Sequence, residues 1–413
     1  MLIDATLLVN DPEIIAGLLN GTLKRFGSVI REAGTGQIVR HLAETPGLTE
    51  KLMALPFNPV MGGASLVLDG IGHGVTIHKL NQVQRTLSSV LQLSQIAAGA
   101  SVLNLGVSAI GFAYMGYKLH QIQKSLDTIQ KSMEAGFDRI DERLNTLSGQ
   151  LAYLHLLVED SRQEQRRLGQ AIAELHRAVL IKEMADLRAE LLDRSRHPGS
   201  SSRETLKVAS RVRMVLSDQA MQAPPELDAR IMLIADIAIQ GWAAATATEA
   251  YLLLEEGAFQ EAQQVLSFEI PRFQDSASRW SSVLLADDRL QLSTAYRFAA
   301  PRFEQYITQE RVERIAYISP HDSGLLDNQI RRRKNDAEVE FEMFHSLQLD
   351  AGWLHRQVAS AEFLDSLSEL SARLEGLQAF AEMCDRTEAK NSHELLPSNE
   401  RELGLYLLPD NRG

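Results

Sequence analysis

The sequence predicts a mainly α protein, an elongated helical bundle or coiled coil with a small N-terminal α+β domain. Three observations carry this. Residues 119–158 place apolar side chains at alternating three- and four-residue spacing, residues 204–317 and 336–390 keep helical periodicity between Pro and Gly breaks, and strand-like segments cluster in residues 1–58.

The elements follow in order. Residues 2–9 have strand character, and Asp11-Pro12-Glu13 starts a short helix with an N-cap acceptor, a proline at the first helical position and an acid in the first turn. Gly21 stops that helix. Residues 23–31 and 37–41 flank Ala33-Gly34-Thr35-Gly36, a turn that would close a hairpin. Pro56, Pro59, Gly62 and Gly63 end this first domain, taken as 1–58.

Residues 59–117 form a glycine-rich apolar region. No Asp, Glu, Lys or Arg occurs in residues 86–117, which Arg85 and Lys118 bound. Its densest part, residues 96–117, has the length of a bilayer span, about 20 residues. Asn104 and the glycines make its insertion marginal, and small residues equally suit a helix packed all round in a bundle. Together with residues 60–77 it would make a membrane hairpin, with Leu103, Leu105, Gly106, Ile110, Gly111 and Phe112 as insertion candidates. Gly70-x-Gly72-x-Gly74 lacks the spacing of a dinucleotide loop, and no Walker lysine follows.

Residues 118–195 read as one long coiled-coil helix. Its seam runs through Leu119, Ile122, Leu126 and Ile129, skips near Gly136, and resumes at Ile140, Leu144, Leu147 and Leu151, with mixed charges between. After the break at His197-Pro198-Gly199 a helical bundle is expected over 204–317, with helices near 204–221, 226–256, 258–285 and 289–315. Residues 251–266 share Gly257, Phe259, Ala262 and Leu266 with the spacing of a tetratricopeptide turn, but only over half a repeat, so a helical hairpin is predicted there. Residues 318–335 read as a polar loop ending in the basic run Arg331, Arg332, Arg333 and Lys334. That run is either a solvated loop end or a contact for anionic headgroups or an acidic partner. A long C-terminal helix, 336–390, is expected to pack on the coiled coil, and 391–413, with Pro397 and Pro409, reads as a tail.

The net charge of -12 argues against nucleic acid as a partner, since phosphate binding needs a basic face. Cys384 is the single cysteine, so neither an intramolecular disulfide nor a cysteine-based zinc site can form, and a buried structural role is its expected one. The acidic N-terminal residues do not make a secretory signal, which points to a cytoplasmic protein with or without membrane association. No H-E-x-x-H, G-x-S-x-G or P-loop occurs, so no catalytic, cofactor or metal residue is assigned and the chain is read as no enzyme. Asp287-Asp288 and His321-Asp322 read as polar surface pairs.

A small head, a hydrophobic glycine-rich segment and long coiled helices, over residues 60–195 and 336–390, resemble in arrangement the α-helical pore-forming toxins of the cytolysin A and tripartite types. The resemblance implies a soluble form that hides the apolar segment, then oligomerises and inserts it. Two functions are therefore expected to compete. One is a membrane-active protein, a pore-forming toxin or intracellular effector, that inserts residues 60–117 after self-association. The other is a soluble coiled-coil scaffold or protein-interaction module in which those residues are buried. Self-association through the long helices is expected in both, with membrane lipid or another protein as the further partner.

Overall fold

The computed structural model of the chain describes residues 2–9, 11–26, 29–33, 37–44, 101–108, 179–197, 202–286, 293–303, 307, 309–343, 351–395 and 404–407. The coiled-coil seam from Leu119 to Leu151 and the insertion candidates Ile110, Gly111 and Phe112 lie outside these residues. The described residues are mostly helical, with a small sheet, and fall into two compact units. The first draws on Met1–Tyr114, Leu253–Ser267 and Glu369–Gly413, the second on Met115–Leu252 and Phe268–Ser368.

The first unit contains β1 (Leu2–Val9), α1 (Pro12–Asn20), β2 (Leu23–Phe26), β3 (Val29–Glu32), β4 (Ile38–Glu44), β5 (Ser101–Ser108) and β6 (Gly404–Leu407). These strands make one sheet in the order β2-β3-β4-β6-β1-β5. Asp11 caps α1 as expected, its side chain accepting from the backbone N–H of Glu13 at 3.0 Å and of Ile14 at 3.4 Å. Gly21 ends the helix in the left-handed region, at φ 79°. Ile14, Ile30 and Leu42 form the buried core beside the sheet, with Leu18, Leu23 and Leu407 packed against it. A methyl at Gly17 would come within 2.5 Å of the Leu23 side chain, so glycine sets how closely α1 lies on β2.

Three expectations are corrected here. Residues 101–108 are not helical: they are strand β5, antiparallel to β1, with Leu103 opposite Leu7, Leu105 opposite Ala5 and Gly106 opposite Asp4. Physically, Leu103-x-Leu105-x-Val107 has a two-residue apolar period, and Asn104 and Gly106 are poor helix formers, glycine costing roughly 1 kcal/mol in a helix. The C-terminal segment is not simply a tail, because β6 lies between β4 and β1, parallel to β1 and antiparallel to β4. Finally, the expected strand over 23–31 is two strands, β2 and β3, paired antiparallel. The hairpin foreseen around residues 33–36 is present as β3 and β4.

The helices are α2 (Val179–Arg196), α3 (Arg203–Gln222), α4 (Ala229–Glu255), α5 (Phe259–Leu284), α6 (Gln309–Ile318), α7 (Asp327–Met343) and α8 (Ala351–Arg386). In the second unit α4 is buried on nearly every side, which its small residues permit: Ala235, Ala238, Ala243, Ala245 and Ala247 all lie in the core. Aromatic contacts fill the remaining volume, with Trp242 against Phe273 at 5.1 Å and Trp280 against Phe363 at 4.7 Å between ring centroids.

In the first unit, α4 passes to α5 through a turn at Gly257, φ 77°, where a methyl would approach the Lys390 carbonyl oxygen to 2.4 Å. The hairpin predicted for residues 251–266 is thus present, with its glycine required twice over.

Two further readings change. The helix expected over 289–315 is replaced by 3-10 turns, Ala295–Ala299 and Pro301–Phe303, followed by α6. Pro301 has no N–H to continue a helix, and Thr294 caps the first turn by accepting from the Tyr296 N–H at 3.2 Å. The basic run of 331–334 is not a loop end, since it lies inside α7. Arg and Lys are good helix formers, and Gln329 steadies the start of α7 by accepting from the Leu326 N–H at 2.9 Å. The helical pattern of 336–390 accordingly belongs to α7 and α8, with residues 344–350 outside the described set.

Candidate functional site

Charge buried inside a helical unit is costly unless paired, so the paired clusters are the places where a special role would show. Three stand out among the described residues of the second unit.

The largest joins α3, α4 and α5. Arg213 donates from Nε to Glu249 Oε2 at 2.6 Å and from Nη1 to Glu269 Oε1. The other oxygen of Glu269 accepts from Trp242 Nε1 at 2.8 Å and from Arg272 Nη1 at 3.2 Å. Burial by itself would lower the Arg213 pKa, but hydrogen bonding and attraction from Glu249, then Glu269, outweigh it and raise the guanidinium above its ordinary value. Arg272 leads outward: its guanidinium carbon stands 5.7 Å from the Trp242 ring centroid and 5.2 Å from that of Phe268. Phe268 itself is 61% exposed.

The second cluster joins α6 to α8. Asp365 accepts from Arg314 Nε at 2.5 Å, Arg314 Nη2 at 2.9 Å and Arg311 Nε at 2.8 Å. Burial pushes its pKa up, yet the attraction of Arg314 and Arg311 and their hydrogen bonds win, holding the carboxyl below its ordinary 3.8. Ser368 reinforces the joint by donating to the Arg314 carbonyl at 2.6 Å.

The third closes the 3-10 turn. Asp322 accepts from Thr294 Oγ1 at 2.6 Å, Ala295 N at 2.7 Å and Ser319 Oγ at 2.9 Å. Beside it, Arg297 donates to the carbonyls of Leu284 at 3.0 Å and Leu285 at 2.5 Å, satisfying acceptors that the end of α5 leaves over. Burial, followed by the charges of Asp322, Glu313 and Asp327, pushes the Tyr296 phenol up to about 12.

Both carboxylate oxygens of Glu269, Asp365 and Asp322 are committed to donors, mostly on neighbouring elements. A carboxylate so engaged fixes one element against another; a general base instead needs a lone pair directed at a substrate proton. Among the described residues no group of three or more His, Cys, Asp or Glu could hold a metal ion. Cys384 is buried in α8, and burial pushes its thiol up to about 12, far from the thiolate that nucleophilic chemistry requires.

Leu103, Leu105 and Gly106 lie on β5, while Arg331, Arg332, Arg333 and Lys334 lie on α7. Of the presumed surface pairs, His321 is exposed but Asp322 is buried, because its carboxylate caps the 3-10 turn; Asp287 and Asp288 lie outside the described residues. Sequence reasoning missed Arg213, Glu249, Glu269 and Asp365. A usable signal was present, since Arg213 follows Val212 and Glu269 sits between Phe268 and Ile270, single charges set into apolar runs. Among the described residues no helix is long and apolar enough to cross a membrane. In comparisons with protein-family models, with curated proteins and with solved structures, nothing matches this chain.

Proposed function

We propose that this chain is a helical protein-interaction module, or scaffold, that acts through non-covalent contacts and self-association rather than through covalent chemistry. The observation that carries the reading is the β1–β5 ladder: the middle of the uncharged 86–117 segment has a place in the first unit's own sheet, matched to β1 over the full length of both strands. Support also comes from the three charge clusters, whose carboxylates serve to join elements. The decisive experiment fractionates native protein between cytosol and membrane, with vesicle leakage and light scattering in parallel. Soluble oligomers without leakage fit the scaffold, whereas leakage by the folded protein would overturn it.

A second reading keeps the membrane-active effector, and with it the resemblance to α-helical pore-forming toxins. It draws on the absence of Asp, Glu, Lys and Arg from residues 86–117. In that reading β5 would leave β1 before insertion. Ile110→Asp separates the two, because a charge at mid-span costs about 2.5–3.5 kcal/mol on insertion. Leakage lost with melting temperature and oligomer size retained would favour the membrane; no leakage from the parent under low pH or proteolysis removes it.

A further inference from the structure

The outer face of α7 complements itself in charge. Over residues 331–339 its exposed charges are Arg331 and Arg332 towards the N-terminal side and Asp336 and Glu338 towards the C-terminal side. Its inner side is already committed: Ala337 and Glu340 are buried, and Lys334 Nζ stands 5.7 Å from the Tyr296 ring centroid. Arg331, Arg332, Asn335, Asp336, Glu338 and Val339 face solvent. Near the two ends, Leu326 is 63% and Val339 55% exposed, large apolar groups beside the charges. Within one copy, the ion pair across this face, Arg332 Nε to Asp336 Oδ2 at 3.8 Å, is long and solvent-exposed, a weak use of both charges.

We propose that a second copy of this chain docks antiparallel on α7. A two-fold axis passing near Asn335 sets Arg331 and Arg332 of each copy against Asp336 and Glu338 of the other, an isologous contact in which one patch serves both partners. A parallel arrangement would oppose like charges and is disfavoured. The antiparallel one also brings Val339 opposite Arg331 of the other copy, adding apolar burial to the ion pairs. This deepens the interaction-module reading, on which it rests, by naming the partner.

Two full-length variants test it: Arg331→Glu with Arg332→Glu makes the outer face acidic throughout, and Asp336→Lys with Glu338→Lys makes it basic throughout. Sedimentation velocity at low salt should show the parent dimerising, more weakly as salt rises. Each variant alone should bind itself at least about tenfold more weakly, and an equimolar mixture should recover a one-to-one dimer. Circular dichroism and melting temperature, unchanged in both, establish that the substituted helix still folds. If a reversal variant unfolds, Arg331→Gln with Arg332→Gln takes its place and should weaken association to a smaller degree. Variants that associate as the parent does would overturn the α7 interface while leaving the interaction module standing. A mixture that fails to recover the dimer also overturns the interface. A parent that is monomeric at every concentration and salt overturns both.

Discussion

The sheet and the helical hairpins are held together over very different lengths of chain. In the sheet, residues 404–407 pair with residues 6–8 on one side and 42–44 on the other, and β5 reaches β1 from residues 101–108. In the hairpin, α4 passes to α5 through the turn at Gly257, and α3 meets both through Arg213. Bringing distant strands together costs loop entropy before any ladder hydrogen bond forms, while a hairpin gains contacts at once. The sheet therefore depends on the presence of each strand, and the helices on the pairing of charges they bury.

The largest effect is expected from breaking a charge pairing. Asp365→Ala leaves Arg311 and Arg314 facing each other without their shared carboxylate, at a cost of about 3–5 kcal/mol, read as a lower urea midpoint. The effect has a pH signature. Because the folded carboxyl sits below its ordinary 3.8, its contribution is complete above that pH and is lost as pH falls through the folded value. The deficit of the variant should thus shrink in acid below about pH 4, and a deficit independent of pH would assign the effect to packing instead.

Next comes the sheet. Leu405→Pro removes a backbone donor from the strand between β4 and β1, costing about 1–3 kcal/mol for the partner left over. Hydrogen exchange should quicken in residues 2–9 and 38–44 and stay slow in α3. Equal acceleration in α3 would break the contrast between the two regions.

A smaller loss is expected at the hairpin turn, where Gly257→Ala forces a left-handed backbone costing about 1–2 kcal/mol, and a methyl against the Lys390 carbonyl besides. A melting temperature unchanged from the parent would mean that the turn opens without consequence. The smallest effect concerns Cys384, whose buried thiol, pushed up to about 12, should react with a maleimide at neutral pH only after denaturant is added. Rapid labelling of the native protein would show that α8 opens locally.

What can be read from the sequence is what depends on near neighbours. Asp11, Pro12 and Gly21 announce α1, Gly257 announces the hairpin, and the apolar spacing of residues 351–386 announces α8, because caps, turns and periodicity act within a few residues. Tertiary structure alone decided the rest. Gly404–Leu407 is too short and too close to Pro409 to signal a strand by itself, and it becomes one because β1 and β4 present ladders on both sides. Residues 101–108 carry an uncharged apolar pattern open to helix or strand, and β1 settles it as strand. Asp322, Asp365 and Glu269 are ordinary surface residue types whose burial follows from donors that lie far off in the chain or on other elements: Arg314 lies well before Asp365, and Arg213 and Trp242 come from α3 and α4. A charge can be buried only where such donors converge, and convergence is a property of the folded chain, which no local pattern encodes.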